Sequence, residues 1–74
     1  MEDMERQAIL QARSIGPKMV AWLEEAGYGR LGDFAAETPE NIAFRIEACT
    51  GRRLDRNGIK ALENLVAYAR ASRD

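Results

Sequence analysis

The stretch Ser14-Ile15-Gly16-Pro17-Lys18 decides the fold of this 74-residue chain. Good helix formers with apolar residues at helical spacing precede it, and a second apolar stripe follows it. Gly16 tolerates a positive φ angle, and Pro17 suits the first turn of a new helix because its missing N–H would be unpaired there anyway. The sequence therefore predicts helices over residues 3–13 and 17–26, joined by a tight turn.

Further start and stop signals divide the rest of the chain. Residues 31–36 read as one short helix, and Thr38-Pro39-Glu40-Asn41 is a helix start with threonine as the cap. Gly51 stops that helix, and a final helix is expected from about Gly58 to Ala71. No segment alternates like a strand. We predict an all-α fold, a compact bundle of four to five short helices in one domain over residues 1–74.

Apolar residues at helical spacing give the predicted core. They are Met4, Ala8, Ile9, Ala12, Met19, Val20, Leu23, Ala26, Leu31, Phe34, Ala35, Ile42, Ala43, Ile46, Cys49, Ile59, Leu62, Leu65, Val66 and Ala69. We expect Cys49 to be a buried small hydrophobe. Trp22 and Tyr28 are expected in the core or an interface in preference to stacking on a base. Phe44 lies off its stripe, where it fills the other side of its helix or forms part of a dimer surface.

Composition excludes several classes of function. The chain has one cysteine and no histidine, so we expect no internal disulfide, no metal centre, no cofactor and no catalytic site. No apolar run approaches the length of a membrane span, and the acidic start differs from a signal peptide. We therefore expect a non-enzymatic protein of the reducing cytoplasm, with no membrane partner and no small-molecule substrate.

The net charge of −1 hides an asymmetry. Residues 1–40 hold eight acidic and four basic residues, a net charge of −4, while residues 41–74 hold four acidic and seven basic residues, a net charge of +3. The basic excess centres on Arg45, Arg52, Arg53, Arg56 and Lys60. Such a stripe is able to meet phosphates, although arginines in a loop are more often simply solvated. Arg70 and Arg73 near the C-terminus are expected to complement the helix dipole.

The run Ile15-Gly16-Pro17-Lys18, followed by Val20 and Leu23, resembles the helix-hairpin-helix motif. The Gly-Tyr connection, then Leu31-Gly32-Asp33-Phe34 and Thr38-Pro39-Glu40-Asn41, is similar to the continuation seen in many such domains. Thr50-Gly51-Arg52-Arg53-Leu54-Asp55 is similar to part of the bacterial pathogenicity-locus helix-hairpin-helix family. The front half also resembles the C-terminal domain of TfoX-type competence regulators. Together these resemblances cover about residues 12–70.

The resemblance implies a SAM-like helix-hairpin-helix domain whose hairpin amides contact nucleic-acid phosphates. Hairpin carbonyls of such domains sometimes also hold a monovalent cation. Carried over by position, the phosphate contacts come from Ser14, Gly16 and Lys18. A helix N-terminus suits this role because its unpaired N–H groups and partial positive charge attract anions. Ser14 departs from the motif, since it stands where the first glycine is expected and raises the cost of an unusual backbone angle.

Domains of this superfamily often carry two hairpins related by pseudo-symmetry. The second here would run from Arg52 to Ile59, and its Asn57-Gly58-Ile59-Lys60 echoes Ile15-Gly16-Pro17-Lys18. This arrangement would place Arg52, Arg53, Arg56 and Lys60 on a surface comparable to that of the first hairpin.

The sequence is compatible with two functions. The first is nucleic-acid binding through backbone phosphates without sequence specificity, or an accessory role beside a DNA-processing partner. The second is a protein-interaction or structural module, a homodimer or an adaptor, that binds no nucleic acid. In that second case Gly16-Pro17 only turns the chain between two helices.

Overall fold

The computed structural model describes residues 1–72, which form four α-helices, one 3₁₀ helix and no strand. The elements are α1 (Asp3–Leu10), α2 (Pro17–Glu25), the 3₁₀ helix (Leu31–Phe34), α3 (Pro39–Thr50) and α4 (Arg56–Ala71). They pack into one body of 32 × 22 × 19 Å, with α4 against both α3 and the 3₁₀ helix. The predicted all-α fold is confirmed.

Local signals account for most helix ends. The Thr38 hydroxyl accepts a hydrogen bond from the Asn41 amide at 3.2 Å, as expected of a threonine cap. Gly27 (φ 97°) and Gly51 (φ 75°) adopt the left-handed conformation after α2 and α3. The 3₁₀ helix covers the first four of the six residues expected to be helical there.

Two helix boundaries differ from the prediction. Helix α1 ends at Leu10, three residues early, because the chain leaves the helix through a turn over residues 11–14. Helix α4 begins at Arg56, two residues before the expected start at Gly58. The reason is Asp55, whose carboxylate accepts a hydrogen bond from the Gly58 amide at 2.8 Å and caps the helix.

One apolar core lies between the helices. Its largest completely buried side chains come from every element: Phe34, Ile9, Leu23, Ile42, Ile46, Leu62, Leu65 and Val20. Leu31, Ala43 and Ile59, predicted to face inward, lie half-buried, and so does Ala8 of the α1 stripe. The prediction for Met4 of that stripe is wrong, since Met4 lies in the first turn of α1 and is 80% exposed. No polar or charged residue of the described chain is buried. The prediction of a buried Cys49 is wrong, since Cys49 is exposed in the last turn of α3, where its apolar face has no covering neighbour.

Polar contacts tie the first half of the chain together. The Met1 ammonium donates to Glu24 Oε1 at 2.8 Å, and this contact lowers the pKa of the Glu24 carboxyl, with further help from Arg6. Tyr28 is buried as expected and donates from its hydroxyl to Glu37 at 2.7 Å. Burial, reinforced by the Glu37 hydrogen bond, raises the pKa of Tyr28 to about 12. These contacts hold α2 against α1 and fix the start of the connection to the 3₁₀ helix.

Arg70 joins α4 to the segment between the 3₁₀ helix and α3. Its guanidinium donates to the carbonyl oxygens of Ala35 at 3.0 Å and Glu37 at 3.3 Å. The Arg70 side chain therefore stabilises the segment that follows the 3₁₀ helix. Arg70 also lies in the last turn of α4, as expected. Arg73, expected to act on the same dipole, lies outside the described residues.

Candidate nucleic-acid interface

The turn between α1 and α2 has an unusual backbone. Ser14 has φ 68° and is the one non-glycine residue in residues 1–72 with a positive φ. Gly16, predicted to be the residue free to take a positive φ, instead has an extended backbone with φ −109°. The left-handed residue of the turn is thus Ser14, at the position where the motif has its first glycine. A left-handed non-glycine residue costs about 1–2 kcal/mol, and the burial of Ile15 holds the turn in place.

Helix α2 begins without a cap of its own. Gly16 occupies the N-cap position and has no side chain to accept a hydrogen bond, and the first turn of α2 contains no acidic residue. A Cβ atom at Gly16 would meet no atom within 4 Å among the described residues, so the space outside the helix start is open. The exposed Lys18 adds a positive charge beside it. This arrangement leaves backbone N–H groups available to an external anion.

A cleft of about 570 Å³ lies where this turn packs against α4. Its lining residues are Arg13, Ser14, Asn57, Lys60, Ala61 and Asn64. The three polar residues from α4 are spaced three and four apart and so share one face of the helix. The Asn64 side-chain amide donates to the Arg13 carbonyl at 3.4 Å, which joins the two walls.

The chemistry of this cleft suits an anion. Its lining residues include one arginine, one lysine, two asparagines and one serine, and none of them carries a carboxylate. Charge-assisted hydrogen bonds from arginine and lysine to phosphate oxygens are about twice as strong as neutral ones. Amides and hydroxyls are common further donors to phosphate and sugar oxygens. We therefore call the cleft and the adjoining start of α2 the phosphate surface.

The seven residues predicted to bind nucleic acid divide into two groups. Ser14 and Lys60 line the cleft, with Gly16 and Lys18 at the adjoining helix start. Arg52, Arg53 and Arg56 lie on the other connection and the first residue of α4, and they do not line the cleft. The Arg53 guanidinium lies 3.6 Å from the Glu47 carboxylate, which offsets part of its charge.

Sequence reasoning missed Arg13, Asn57 and Asn64 as site residues. Arg13 lies at the end of the segment predicted to be α1, and Asn64 is one polar residue on an amphipathic helix. The spacing of Asn57, Lys60 and Asn64 along one helix face was the available signal. Only the packing of the α1–α2 turn onto α4 shows that this face is part of a cleft.

The expected second hairpin has a different form. The actual connection between α3 and α4 is residues 51–55, so Asn57 and Gly58 belong to the first turn of α4. A Cβ at Gly58 would approach Leu54 Cβ to 3.1 Å, which shows that this glycine serves close packing. The proposed echo of Gly16 by Gly58 is therefore wrong. Asp55 is the residue that corresponds to Gly16, because each one occupies the N-cap position of the second helix of its pair.

A second cleft, of about 700 Å³, has the opposite chemistry. It is lined by Met1, Glu2, Glu5, Gly29, Arg30 and Asp33. Glu5 accepts a hydrogen bond from the Leu31 amide at 2.9 Å, and Asp33 accepts from the Gly29 and Arg30 amides at 3.1 Å. Two of its carboxylates thus stabilise the connection after α2. No group of three or more metal-ligating side chains in the described chain is arranged to hold a metal ion.

No family model, curated protein or solved structure matches this chain. Within residues 1–72, no helix has the length and apolar character needed to cross a bilayer.

Proposed function

We propose that the protein is a helix-hairpin-helix domain that binds nucleic acid through its phosphate backbone, without reading sequence. It acts alone or beside a DNA-processing partner. The observation that carries the proposal is the phosphate surface, where Arg13 and Lys60 face one cleft with no carboxylate among its lining residues. Amides, hydroxyls and cations of this kind position a backbone but carry no sequence information.

The order of elements supports the helix-hairpin-helix assignment. Helices α1 and α2 form one pair, the 3₁₀ helix is the connector, and α3 and α4 form a second pair. This order agrees with the two-hairpin form of the superfamily, and with the resemblance to the bacterial pathogenicity-locus family and to the TfoX-type C-terminal domain. The left-handed Ser14 followed by Gly16 at the helix cap adds a local agreement with the motif.

The charge distribution sets the strength expected of this binding. The net charge of −1 gives no long-range attraction to a polyanion, so affinity depends on the local surface. If Arg13, Lys18 and Lys60 each neutralise one phosphate, log K should fall against log salt with a slope of about −2 to −3. A dissociation constant of about 1–100 μM at physiological salt is typical of such non-specific binding.

Fluorescence anisotropy of labelled DNA tests the proposal. Wild-type protein should bind short duplex and single-stranded DNA, with affinity that falls as salt rises. Lys60→Ala and Arg13→Ala should each weaken binding and reduce the salt slope by about 1. Arg30→Ala is the matched control, because it removes the same charge from the acidic cleft. No detectable binding near physiological salt, or equal losses in all three variants, would overturn the proposal.

One observation favours the second function, a protein-interaction module. Phe44 on α3 is 72% exposed and Met4 on α1 is 80% exposed, although the core is otherwise well covered. A contiguous exposed apolar patch marks contacts with another chain, and such a patch around Phe44 is the condition for this function. Size-exclusion chromatography with light scattering tests this function. A dimer that persists on dilution and is dissociated by Phe44→Ser supports it, whereas a monomer at all concentrations contradicts the homodimer.

We propose no catalytic role, because the absence of histidine and the single exposed cysteine leave no nucleophile paired with a base. The reducing cytoplasm remains the proposed location, on the ground of that cysteine content.

A further inference from the structure

The single tryptophan of the chain, Trp22, belongs to α2, the helix whose start forms part of the phosphate surface. Trp22 is half-buried on α2, and the guanidinium of Arg52 lies over its ring at 5.2 Å from the centroid. Arg52 comes from the α3–α4 connection and is itself exposed. The contact therefore places an exposed guanidinium over a ring that the core covers only in part.

The surroundings of Trp22 differ from those of the other cation–π pair. Arg45 lies 4.7 Å from the centroid of Tyr28, but Tyr28 is only 4% exposed and its ring also packs against Phe34. The Tyr28 hydroxyl is held by Glu37 as well. Tyr28 is thus a fixed part of the core, whereas Trp22 packs only partly against the core and has the exposed Arg52 over its ring.

The charged residues near Trp22 differ in sign between the two ends of its helix face. Lys18 and Glu25 lie four residues before and three residues after Trp22, on the same face of α2. The positive end of this row is therefore the end near Gly16 and the phosphate surface, and the exposed Glu25 closes the other end. Trp22 lies about 9 Å along the helix axis from Gly16, at 1.5 Å of rise per residue. This distance corresponds to about two to three nucleotides of a stacked strand.

We propose that Trp22 is a stacking site for one unpaired base of a single-stranded nucleic acid whose phosphates lie on the phosphate surface. The base takes the ring face that Arg52 covers in the free protein, and the displaced guanidinium turns to the strand's backbone. Stacking of a base on an aromatic ring is stronger than an exposed cation–π contact, so the exchange is favourable. This inference rests on the proposed function and adds the kind of nucleic acid that the protein prefers.

Tryptophan fluorescence reports directly on this site, because the chain has no other tryptophan. The probes are a thymidine decamer, an abasic decamer with the same phosphates, and a blunt duplex. The thymidine decamer should quench Trp22 and bind about 5- to 150-fold more tightly than the abasic strand, the range expected for one stacked base. The duplex, whose bases are already stacked, should leave the emission unchanged.

Variants separate stacking from folding. Trp22→Phe keeps an aromatic face and should retain binding of the thymidine decamer within about threefold, while Trp22→Leu should lose the preference for that decamer over the abasic strand. Tyr68→Leu is the matched control, since it removes a half-buried aromatic side chain from α4, and it should keep the preference. Circular dichroism verifies that each variant is folded.

Two results overturn the inference, and they are distinguishable. If both decamers bind equally and Trp22 emission does not change, the stacking site is wrong while the phosphate surface stands. If neither decamer nor the duplex binds, the proposed function fails and the stacking site fails with it.

Discussion

The α1–α2 turn and the α3–α4 connection both lead into the second helix of a pair, and they present opposite chemistry at its first turn. Helix α4 is capped by its own carboxylate, since Asp55 accepts a hydrogen bond from the Gly58 amide at 2.8 Å. Helix α2 has Gly16 at its N-cap position and no such side-chain acceptor. One residue in each connection therefore decides whether the first N–H groups of the helix donate to a side chain of the protein or are available to an external anion.

The same two connections differ in which type of residue adopts the left-handed conformation. The α3–α4 connection places Gly51 at φ 75°, where a glycine adopts the conformation at no steric cost. The α1–α2 turn places Ser14 at φ 68° and accepts the strain. The strained residue lines the cleft, so the region with the less favourable backbone is also the region with the proposed ligand.

The largest expected effect concerns the apolar anchor of each connection. Ile15 is 7% exposed, whereas Leu54 in the other connection is only half-buried. Ile15→Ala should lower the free energy of unfolding by about 2–4 kcal/mol, and Leu54→Ala by clearly less. Urea denaturation followed by circular dichroism measures both. A larger loss for Leu54→Ala would mean that the α1–α2 turn is not the more firmly anchored of the two.

Removal of the carboxylate cap should come next in size. Asp55→Ala leaves the Gly58 amide without its acceptor and should cost about 1 kcal/mol, within a range of 0.5–2 kcal/mol for N-cap residues. Asp55→Asn is the control that keeps an acceptor, and it should change the free energy of unfolding by only a few tenths of a kcal/mol. Equal losses in the two variants would contradict the capping role of Asp55.

Relief of the strain at Ser14 is expected to be favourable. Ser14→Gly should raise the free energy of unfolding by about 0.5–1 kcal/mol, because the gain at φ 68° exceeds the entropy that glycine adds to the unfolded chain. Gly51→Ser makes the reverse change in the other connection and should be destabilising. Thermal denaturation of the pair gives the sign of each effect, and a destabilised Ser14→Gly variant would show that its side chain matters more than its backbone.

The smallest effect is a pH dependence confined to the first helix pair. The pKa of Glu24 is lowered from 4.5 by the Met1 ammonium and Arg6, so its stabilising contribution is present above the unfolded pKa. That contribution is lost as the pH falls below about 4.5 and the carboxylate becomes protonated. Glu24→Gln should remove this part of the acid sensitivity, which denaturation between pH 3 and pH 7 detects.

Local signals in the sequence were enough for most of the fold. Thr38-Pro39, Gly27 and Gly51 each acted through the backbone of their own segment, and the apolar spacing placed Leu23, Ile46 and Leu62 in the core. The predicted start of α4 at Gly58 is two residues late, because Asp55 caps the helix and Leu54 packs over the glycine in its first turn.

The site was less accessible to sequence reasoning. The motif predicted Ser14 and Gly16, and the charge pattern predicted Lys60. No local pattern relates Arg13 to Asn64, because 51 residues separate them and only the packing of α4 on the turn brings them together. The arginines of the α3–α4 connection illustrate the converse, since charge alone could not show that Arg52 covers Trp22 and Arg53 approaches Glu47.

The most direct test converts one helix start into the other. Gly16 has the extended backbone of an N-cap and open space for a side chain, so Gly16→Asp should fold and cap α2 as Asp55 caps α4. We expect the folded Gly16→Asp variant to be at least as stable as the wild type. It should bind a short labelled DNA duplex at least about tenfold more weakly, because its own carboxylate occupies the anion position. Unchanged DNA affinity in a correctly folded Gly16→Asp variant would contradict the claim that the start of α2 receives a phosphate.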